Sequence, residues 1–231
     1  MQAKLLEFTD IADEVRHFVF EACQTERLDF IPGQFVSLSS MVEGKKVTRA
    51  YSIASPPCGN IFELCLNRVK EGKLSPRLFE MQVGDTIEMQ GPLGYFVLRK
   101  PLSDSVLIAT GTGIAPFRAM IKAHFGERSG DERQFTLVFG VRYERNIMYR
   151  EEFERIAAHH PNFRFWPTLS RPETPWAGRT GHVQAHLLEA IGDRRDVDVY
   201  ICGLKLMVDD VRVRLKELGF DRKRIIYEKY D

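Results

Sequence analysis

The first hundred residues carry short segments in which apolar and polar positions alternate with a period of two. Residues 61–68, IFELCLNR, nearly alternate in this way, as a half-buried strand does. Pro-Gly, Pro-Pro and Gly-Asn pairs separate the segments and mark turns. Strands of this length and spacing predict an antiparallel barrel or sandwich. The other predicted elements are strands at 15–23, 33–38, 48–53 and 85–90 and a short helix at 75–80.

The pattern changes near residue 100, where apolar runs begin to alternate with stretches of helical periodicity. This alternation predicts right-handed βαβ units and a mostly parallel, doubly wound sheet. We therefore divide the chain into a β-barrel domain, residues 1–100, and an α/β domain, residues 101–231. Ligands of doubly wound sheets bind at the carboxyl ends of the strands. The predicted elements are strands at 106–109, 135–141, 162–169, 197–202 and 225–227 and helices at 115–125, 149–158, 183–190 and 205–218.

The 231 residues include 33 basic and 32 acidic side chains, for a formal net charge of +1. This balance argues against a protein that binds nucleic acid or an anionic membrane through bulk charge. Four scattered cysteines form no Cys-x-x-Cys pair, so zinc and iron–sulfur motifs are not expected. The sparse cysteines, the absence of an apolar leader and the absence of a long apolar run predict a cytoplasmic protein without a membrane span.

A glycine-rich turn, ATGTGIAP at 109–116, lies between the first predicted strand and the first helix of the α/β domain. Gly111 and Gly113 let the backbone approach a pyrophosphate, whose charge suits a helix N-terminus. Pro116 replaces the third glycine of the usual dinucleotide fingerprint and is compatible with a first helical turn. The turn predicts nucleotide binding, and an ordinary tight turn is the alternative.

A second motif lies on the predicted barrel strand at 48–53. Arg49 can neutralise a phosphate with paired donors, and the ring of Tyr51 offers a flat surface to a planar heterocycle. Alternation puts Arg49, Tyr51 and Ile53 on one face of the strand and Ser52 on the other. A surface strand with a buried tyrosine is the structural alternative.

Two shorter motifs lie at predicted element ends. GKLS at 72–75 precedes the short helix, where Ser75 can cap the helix while backbone N–H groups hold phosphate. CGLKLM at 202–207 follows the fourth parallel strand, where a ligand is expected. Cys202 can contact a nicotinamide there, or fill space at a strand end.

Taken together, the motifs resemble those of the ferredoxin–NADP reductase family of flavoproteins. The resemblance implies an antiparallel flavin-binding barrel followed by a nucleotide-binding α/β domain, with hydride transfer between the two cofactors. GKLS is more similar to the FAD-binding members than to the FMN-binding ones, so the implied flavin is FAD. The matching stretches, in the family's order, are RAYSIAS (49–55), GKLS (72–75), GPLGYF (91–96), GTGIAPF (111–117), FGVR (139–142), YREEF (149–153), LSR (169–171) and CGLKLM (202–207).

The resemblance also implies roles for individual residues. Tyr51 is expected to stack on the isoalloxazine and Ser52 to hydrogen-bond near flavin N5, and with Cys202 they form the expected catalytic centre. Tyr230 is the candidate for an aromatic cover over the flavin. The residues expected to bind the flavin are Arg49, Tyr51, Ser52, Ile53, Gly72, Lys73, Leu74 and Ser75. The residues expected to bind the nicotinamide nucleotide are Gly111, Thr112, Gly113, Pro116, Cys202, Gly203 and Met207.

The choice between NADPH and NADH depends on donors for the 2′-phosphate. Ser170 and Arg171 follow the third parallel strand, where the family often binds that phosphate, and Arg142 and Arg179 are placed to assist. We therefore expect NADPH, with NADH as the alternative.

The expected function is that of an FAD-dependent reductase that exchanges electrons with ferredoxin, flavodoxin or another carrier protein. Two alternatives stay open: a flavin reductase that uses flavin as a diffusing substrate, and a non-catalytic nucleotide-binding subunit of an electron-transfer complex. His182 and His186, four residues apart, offer no third ligand in the sequence, so no metal site is expected.

Overall fold

The computed structural model describes residues 1–126, 132–173 and 175–230. The chain forms two compact units. The first comprises Met1–Val97 and Ala115–Gly126, and the second comprises Leu98–Ile114 and the described part of 127–231. Asp231, the last residue of the predicted α/β domain, lies outside the described residues.

The first unit is built on a six-stranded antiparallel sheet with the strand order β4-β3-β6-β1-β2-β5. An antiparallel bridge between Ile53 and Leu64 joins the chain after β4 to β5, so the two outer strands meet as in a barrel. The strands are β1 (Gln2–Ala12), β2 (Val15–Ala22), β3 (Phe35–Val42), β4 (Lys45–Ser52), β5 (Ile61–Asn67) and β6 (Thr86–Leu93), and the helices are α1 (Ser75–Glu80) and α2 (Ile114–Gly126).

Aromatic side chains from adjacent strands fill the interior of this sheet. Phe18, Phe20 and Phe62 have no exposed surface, and their rings stack with centroid distances of 5.9 and 5.6 Å. Fully burying a side chain of this size contributes about 1.5–3 kcal/mol. This face of the sheet therefore forms the hydrophobic core against which the surrounding strands pack.

Strand β1 is the one element of this unit that the periodicity did not predict. A β-bulge between Leu5 and Glu7 shifts its register against β2, and a second shift lies between Asp10 and Ala12. Each extra residue interrupts the period of two on which a strand prediction depends. The neighbouring strands nevertheless pair with β1 on both sides.

The second unit is a six-stranded parallel sheet with the order β10-β9-β8-β7-β11-β12. The chain builds outward from β7 in one direction as far as β10 and then returns to build β11 and β12 on the other side. The strand order therefore reverses between β7 and β11, which is where a doubly wound sheet opens a crevice. The elements are β7 (Ser105–Thr110), β8 (Phe135–Val141), β9 (Phe163–Leu169), β10 (Arg179–Thr180), β11 (Asp198–Leu204) and β12 (Ile225–Tyr230), with α3 (Arg150–His159), α4 (Leu187–Ile191) and α5 (Lys205–Glu217).

The predicted fold class, an antiparallel barrel and a doubly wound parallel sheet, is confirmed, with local differences. The helix predicted at 183–190 is a 3₁₀ turn, Val183–His186, followed by α4. The ring of His186 lies 3.0 Å from both the Thr168 hydroxyl and the Thr180 carbonyl oxygen, which explains how this turn is held to the sheet. Strand β10 is only two residues long, too short to show a period.

Neither a membrane-spanning helix nor a group of three or more metal-ligating side chains occurs among the described residues.

Candidate functional site

Three of the predicted flavin-binding residues lie on β4, an edge strand of the first sheet. The Arg49 side chain is exposed and donates a hydrogen bond of 2.8 Å to the carbonyl oxygen of Thr48. No described carboxylate pairs with Arg49. The Tyr51 ring packs against the hydrophobic core at its edge, and Ser52 is buried. Burial raises the pKa of Tyr51 to about 12, while the charge of Arg49 opposes that rise. Tyr51 is therefore a neutral, half-buried ring beside an exposed cation.

The segment directly after β4 is fastened to β5. Besides the bridge that Ile53 makes, the Ala54 N–H donates to the Glu63 carbonyl oxygen at 2.7 Å. The Glu63 N–H in turn donates to the Ser55 hydroxyl at 3.1 Å. Ile53, Ala54 and Ser55 are all buried. The predicted flavin strand thus ends in a segment with little freedom to move.

The GKLS loop differs from expectation in one detail. The prediction that Ser75 caps α1 is wrong, because Leu74 is the N-cap residue and Ser75 is the first residue of the helix. The Ser75 hydroxyl instead accepts from the Val69 N–H at 3.0 Å, and the Gly72 N–H donates to the Val69 carbonyl oxygen at 2.8 Å. Leu74 is buried and Lys73 is exposed. The serine therefore shapes the loop rather than the helix end.

The glycine-rich turn and the turn after β11 pack against each other in the second unit. Gly111–Gly113 forms a 3₁₀ turn directly before α2, and a side chain at Gly113 would lie 2.6 Å from the Cys202 carbonyl carbon and 2.8 Å from the Gly203 Cα. Gly203 has φ +146°, and a side chain there would lie 3.1 Å from the Thr110 carbonyl oxygen. Only glycine permits this approach, which brings the carboxyl ends of β7 and β11 together at the reversal of strand order.

The crevice contains a buried hydroxyl group with unused hydrogen-bonding capacity. Thr110 Oγ1 has no partner among the described residues. A Cβ on Gly111 would meet no atom within 4 Å, so open space adjoins the turn. Pro116 is buried in the first turn of α2, and Thr112 is half-buried. Open space beside a glycine turn with an unpaired hydroxyl fits a polar ligand such as a nicotinamide dinucleotide.

Cys202 and Tyr230 lie together on neighbouring parallel strands. Cys202 is fully buried, and burial, with the nearby Glu228 carboxylate, raises its pKa well above the ordinary value. A hydrogen bond with the Tyr230 side chain opposes that rise. Tyr230 pairs with Leu204 at the end of β12, so it belongs to the parallel sheet. Met207 is almost fully buried in the first turns of α5.

The predicted donors for a 2′-phosphate come together at the carboxyl ends of β8 and β9. The backbone N–H of Arg171 donates a hydrogen bond of 2.9 Å to the Arg142 carbonyl oxygen. The backbone N–H of Ser170 donates one of 3.0 Å to the Val141 carbonyl oxygen. Both guanidinium groups are exposed and have no described carboxylate partner. Arg179 is not equivalent to them, because it pairs with Glu189 and lies 3.8 Å from the centre of the Trp166 ring.

Two residues that the sequence did not indicate support the predicted flavin strand. Arg118, which is 6% exposed, donates to the Ala54 carbonyl oxygen at 2.8 Å and pairs with Glu63. The Gln34 carbonyl oxygen accepts from the Ile53 N–H at 2.9 Å, and its side chain donates to the Gly94 carbonyl oxygen at 3.1 Å. A cation inside the apolar stretch IAPFRAMI is a signal that could have identified Arg118.

Comparison with known proteins gives matches over most of the chain. Residues 2–98 match the family described as Oxidoreductase FAD-binding domain, and residues 107–213 match Oxidoreductase NAD-binding domain. Ferredoxin–NADP reductase B of Sorangium cellulosum is 39% identical over 100% of this chain and 97% of its own length. The toluate 1,2-dioxygenase electron transfer component of Pseudomonas putida is 29% identical over 99% of this chain and 67% of its own length.

Two solved structures give a similar result. Amycolatopsis cytochrome P450 reductase GcoB superposes with a TM-score of 0.88 at 32% identity, over 99% of this chain and 69% of that one. The cytochrome b5 reductase domain of Ulva prolifera nitrate reductase superposes with a TM-score of 0.86 at 25% identity, over 98% of this chain and 96% of that one. The cofactors expected from the sequence, FAD and a nicotinamide dinucleotide, are confirmed by the family matches.

Proposed function

This chain belongs to the ferredoxin–NADP reductase family of flavoprotein oxidoreductases, and we propose that it passes electrons between NADPH and a small carrier protein through FAD. The resemblance on which the sequence interpretation depended is confirmed, as is its conclusion that the chain is an FAD-dependent NAD(P)H oxidoreductase. The choice of NADPH, the identity of the carrier and the role of each residue are the proposal.

The observation that carries the proposal is the contact between the two glycine turns at the reversal of strand order. Gly113 and Gly203 keep side chains out of this crevice, and Thr110 presents an unpaired hydroxyl beside it. In our proposal the nicotinamide half of the dinucleotide occupies this crevice, and the N–H groups of the Gly111–Gly113 turn hold its pyrophosphate. Space and hydrogen-bond donors at such a switch point favour a dinucleotide over a purely structural turn.

The β4 strand is proposed to hold the flavin. Tyr51 supplies a flat, neutral ring for the isoalloxazine, and its raised pKa keeps the phenol protonated across the physiological range. Arg49 and the loop at 72–75 are assigned to the pyrophosphate, since Arg49 is exposed and lacks a described carboxylate partner. The Ser52 hydroxyl is assigned to the flavin ring near N5.

FAD, when bound, supplies the hydride chemistry and the conversion between two-electron and one-electron transfer. The protein residues position the cofactors and control the surroundings. The raised pKa of Cys202 keeps its thiol neutral near pH 7, so we assign it to packing beside the nicotinamide rather than to covalent attack. The hydrogen bond with Tyr230 fixes the thiol at the end of β11.

The preference for NADPH is inferred from the carboxyl ends of β8 and β9. Arg142, Ser170 and Arg171 offer two exposed guanidinium groups and a hydroxyl within one small region. Guanidinium groups suit a phosphate because they donate paired, charge-assisted hydrogen bonds. NADH lacks the 2′-phosphate and makes none of these contacts.

A carrier protein is proposed as the electron partner because two relatives are a ferredoxin–NADP reductase and an electron transfer component by name. Ferredoxin and flavodoxin are the proposed carriers. A cytoplasmic location remains a prediction.

The test is to purify the chain, identify its flavin and follow flavin bleaching with NADPH and NADH separately. We expect bound FAD, faster bleaching by NADPH, and reduction of added ferredoxin or flavodoxin. Ready loss of flavin together with turnover of free flavin would favour a flavin reductase. A protein that binds FAD but reduces no acceptor with either nucleotide would favour a non-catalytic subunit.

A further inference from the structure

Arg118 is a buried cation in the first unit that contacts Ala54 and Glu63, both next to the proposed flavin strand β4. It lies in the second turn of α2 and is 6% exposed. It pairs with the Glu63 carboxylate on β5 and donates 2.8 Å to the Ala54 carbonyl oxygen. Burying a guanidinium group is costly unless its charge is paired, and Glu63 provides that pair. The Glu63 ion pair and the Ala54 hydrogen bond therefore satisfy the charge and the N–H donors of this buried side chain.

The carbonyl oxygen that Arg118 holds lies two residues beyond Ser52. The N–H groups of the same short segment are also occupied: Ile53 donates to Gln34 at 2.9 Å and Ala54 donates to Glu63 at 2.7 Å. Arg118 adds a bond to the same segment, at the Ala54 carbonyl oxygen. With all of these bonds formed, the end of β4 is fixed in direction and in distance from β5.

We propose that Arg118 is a positioning residue that sets the placement of Ser52 and Tyr51 against the flavin. The proposal rests on the proposed function, because it needs the flavin to lie on β4. Arg118 acts through the backbone and does not itself contact the cofactor. Its loss should release the Ala54 carbonyl, let the 52–54 segment shift, and slow hydride transfer without removing the binding groups of the nucleotide. Small displacements of reacting groups reduce rates strongly, because transfer needs a narrow range of distances and angles.

The chain offers a closely matched control in Arg16 on β2. Arg16 also joins a carboxylate to a backbone carbonyl in the same unit: its Nε lies 2.7 Å from Asp10, and its Nη1 donates 3.0 Å to the Phe79 carbonyl oxygen. Its side chain is 14% exposed, against 7% for that of Arg118, so both arginines are mostly buried. The two arginines differ in the carbonyl group that they hold. Arg118 holds that of Ala54, two residues after Ser52, whereas Arg16 holds that of Phe79.

The test compares Arg118→Met with Arg16→Met in the full chain loaded with FAD. Stopped-flow reduction at saturating NADPH measures hydride transfer, normalised to bound flavin. We expect Arg118→Met to lower that rate by about tenfold or more, with the KM for NADPH within about twofold of wild type. We expect Arg16→Met to keep the wild-type rate of hydride transfer. Its Tm should fall by about as much as the Tm of Arg118→Met. Arg118→Lys, which keeps the charge but not the guanidinium geometry, should give an intermediate rate.

Amide hydrogen exchange provides a readout that does not depend on turnover. The amides of Ile53 and Ala54 should exchange faster in Arg118→Met than in wild type and should be unchanged in Arg16→Met. A flavin-loaded Arg118→Met with wild-type hydride transfer would overturn the proposal. If Arg118→Met does not fold, a wild-type rate in Arg118→Lys would overturn it instead. A wild-type chain that binds no FAD would refute the proposed function, while the exchange comparison would still test the role of Arg118 in the segment.

Discussion

Replacing Gly113 with alanine tests whether the contact between the two turns creates the nucleotide crevice. The added methyl group would lie 2.6 Å from the Cys202 carbonyl carbon and 2.8 Å from the Gly203 Cα. Ordinary van der Waals contact begins at 3.4 Å. The opposing atoms are backbone atoms of a paired strand, so they cannot rotate away as a flexible side chain would.

The size of the effect follows from this overlap. The Cys202 carbonyl oxygen would lie closer still, so the ends of β7 and β11 must separate by roughly 1 Å to restore contact distance, and overpacking of this kind costs about 1–3 kcal/mol. For a chain of this length, each kcal/mol lowers the Tm by roughly 2–4 °C. Because the displaced turn also carries the proposed pyrophosphate donors, nucleotide affinity should fall at least about tenfold, which corresponds to about 1.4 kcal/mol.

The assay combines thermal unfolding with calorimetric titration of NADP⁺ into wild type, Gly113→Ala and Gly126→Ala. Gly126 ends α2, and a methyl group there would meet nothing within 4 Å. Alanine at Gly126 should therefore leave the Tm equal or slightly higher and the affinity unchanged. A Gly113→Ala protein with the stability and affinity of wild type would refute the assignment of the crevice.

Three further outcomes are expected. Arg171→Ala should raise the KM for NADPH by about tenfold and leave that for NADH nearly unchanged, because the lost contact is charge-assisted; equal losses in steady-state assays would contradict the phosphate assignment. The folded state holds the Tyr51 proton to higher pH than the unfolded state, since its pKa is about 12 against an ordinary 10.0, so stability is lost as pH rises. Urea unfolding should show wild type losing about 1 kcal/mol more than Tyr51→Phe between pH 9 and 11. Truncation after Lys229 removes the Tyr230 hydrogen bond to Cys202 and should change the flavin absorption spectrum or the nucleotide affinity; no change in either would leave Tyr230 without that role.

Local patterns predicted the elements whose signals are local. The helix α1 and the strand β8 have the bounds that the sequence indicated, because their flanking turns and apolar runs are uninterrupted. The bulged strand β1 was missed because its pairing partners, rather than its own alternation, keep it in the sheet. The predicted cap at Ser75 failed for a related reason: a hydroxyl can accept from more than one nearby N–H, and the Ser75 hydroxyl accepts from the Val69 N–H in the preceding loop.

The sequence by itself determined the fold class, the family and the two cofactors, because turn glycines, strand alternation and motif order are properties of neighbouring residues. Only the tertiary structure decided which distant groups meet. Gly113 approaches Cys202 because β7 and β11 are adjacent in the sheet, although their carboxyl ends, Thr110 and Leu204, are 94 positions apart in the chain. Arg118 reaches Ala54 because α2 packs with the first unit. Such contacts depend on strand order and helix placement, which no local pattern of apolar and polar residues encodes.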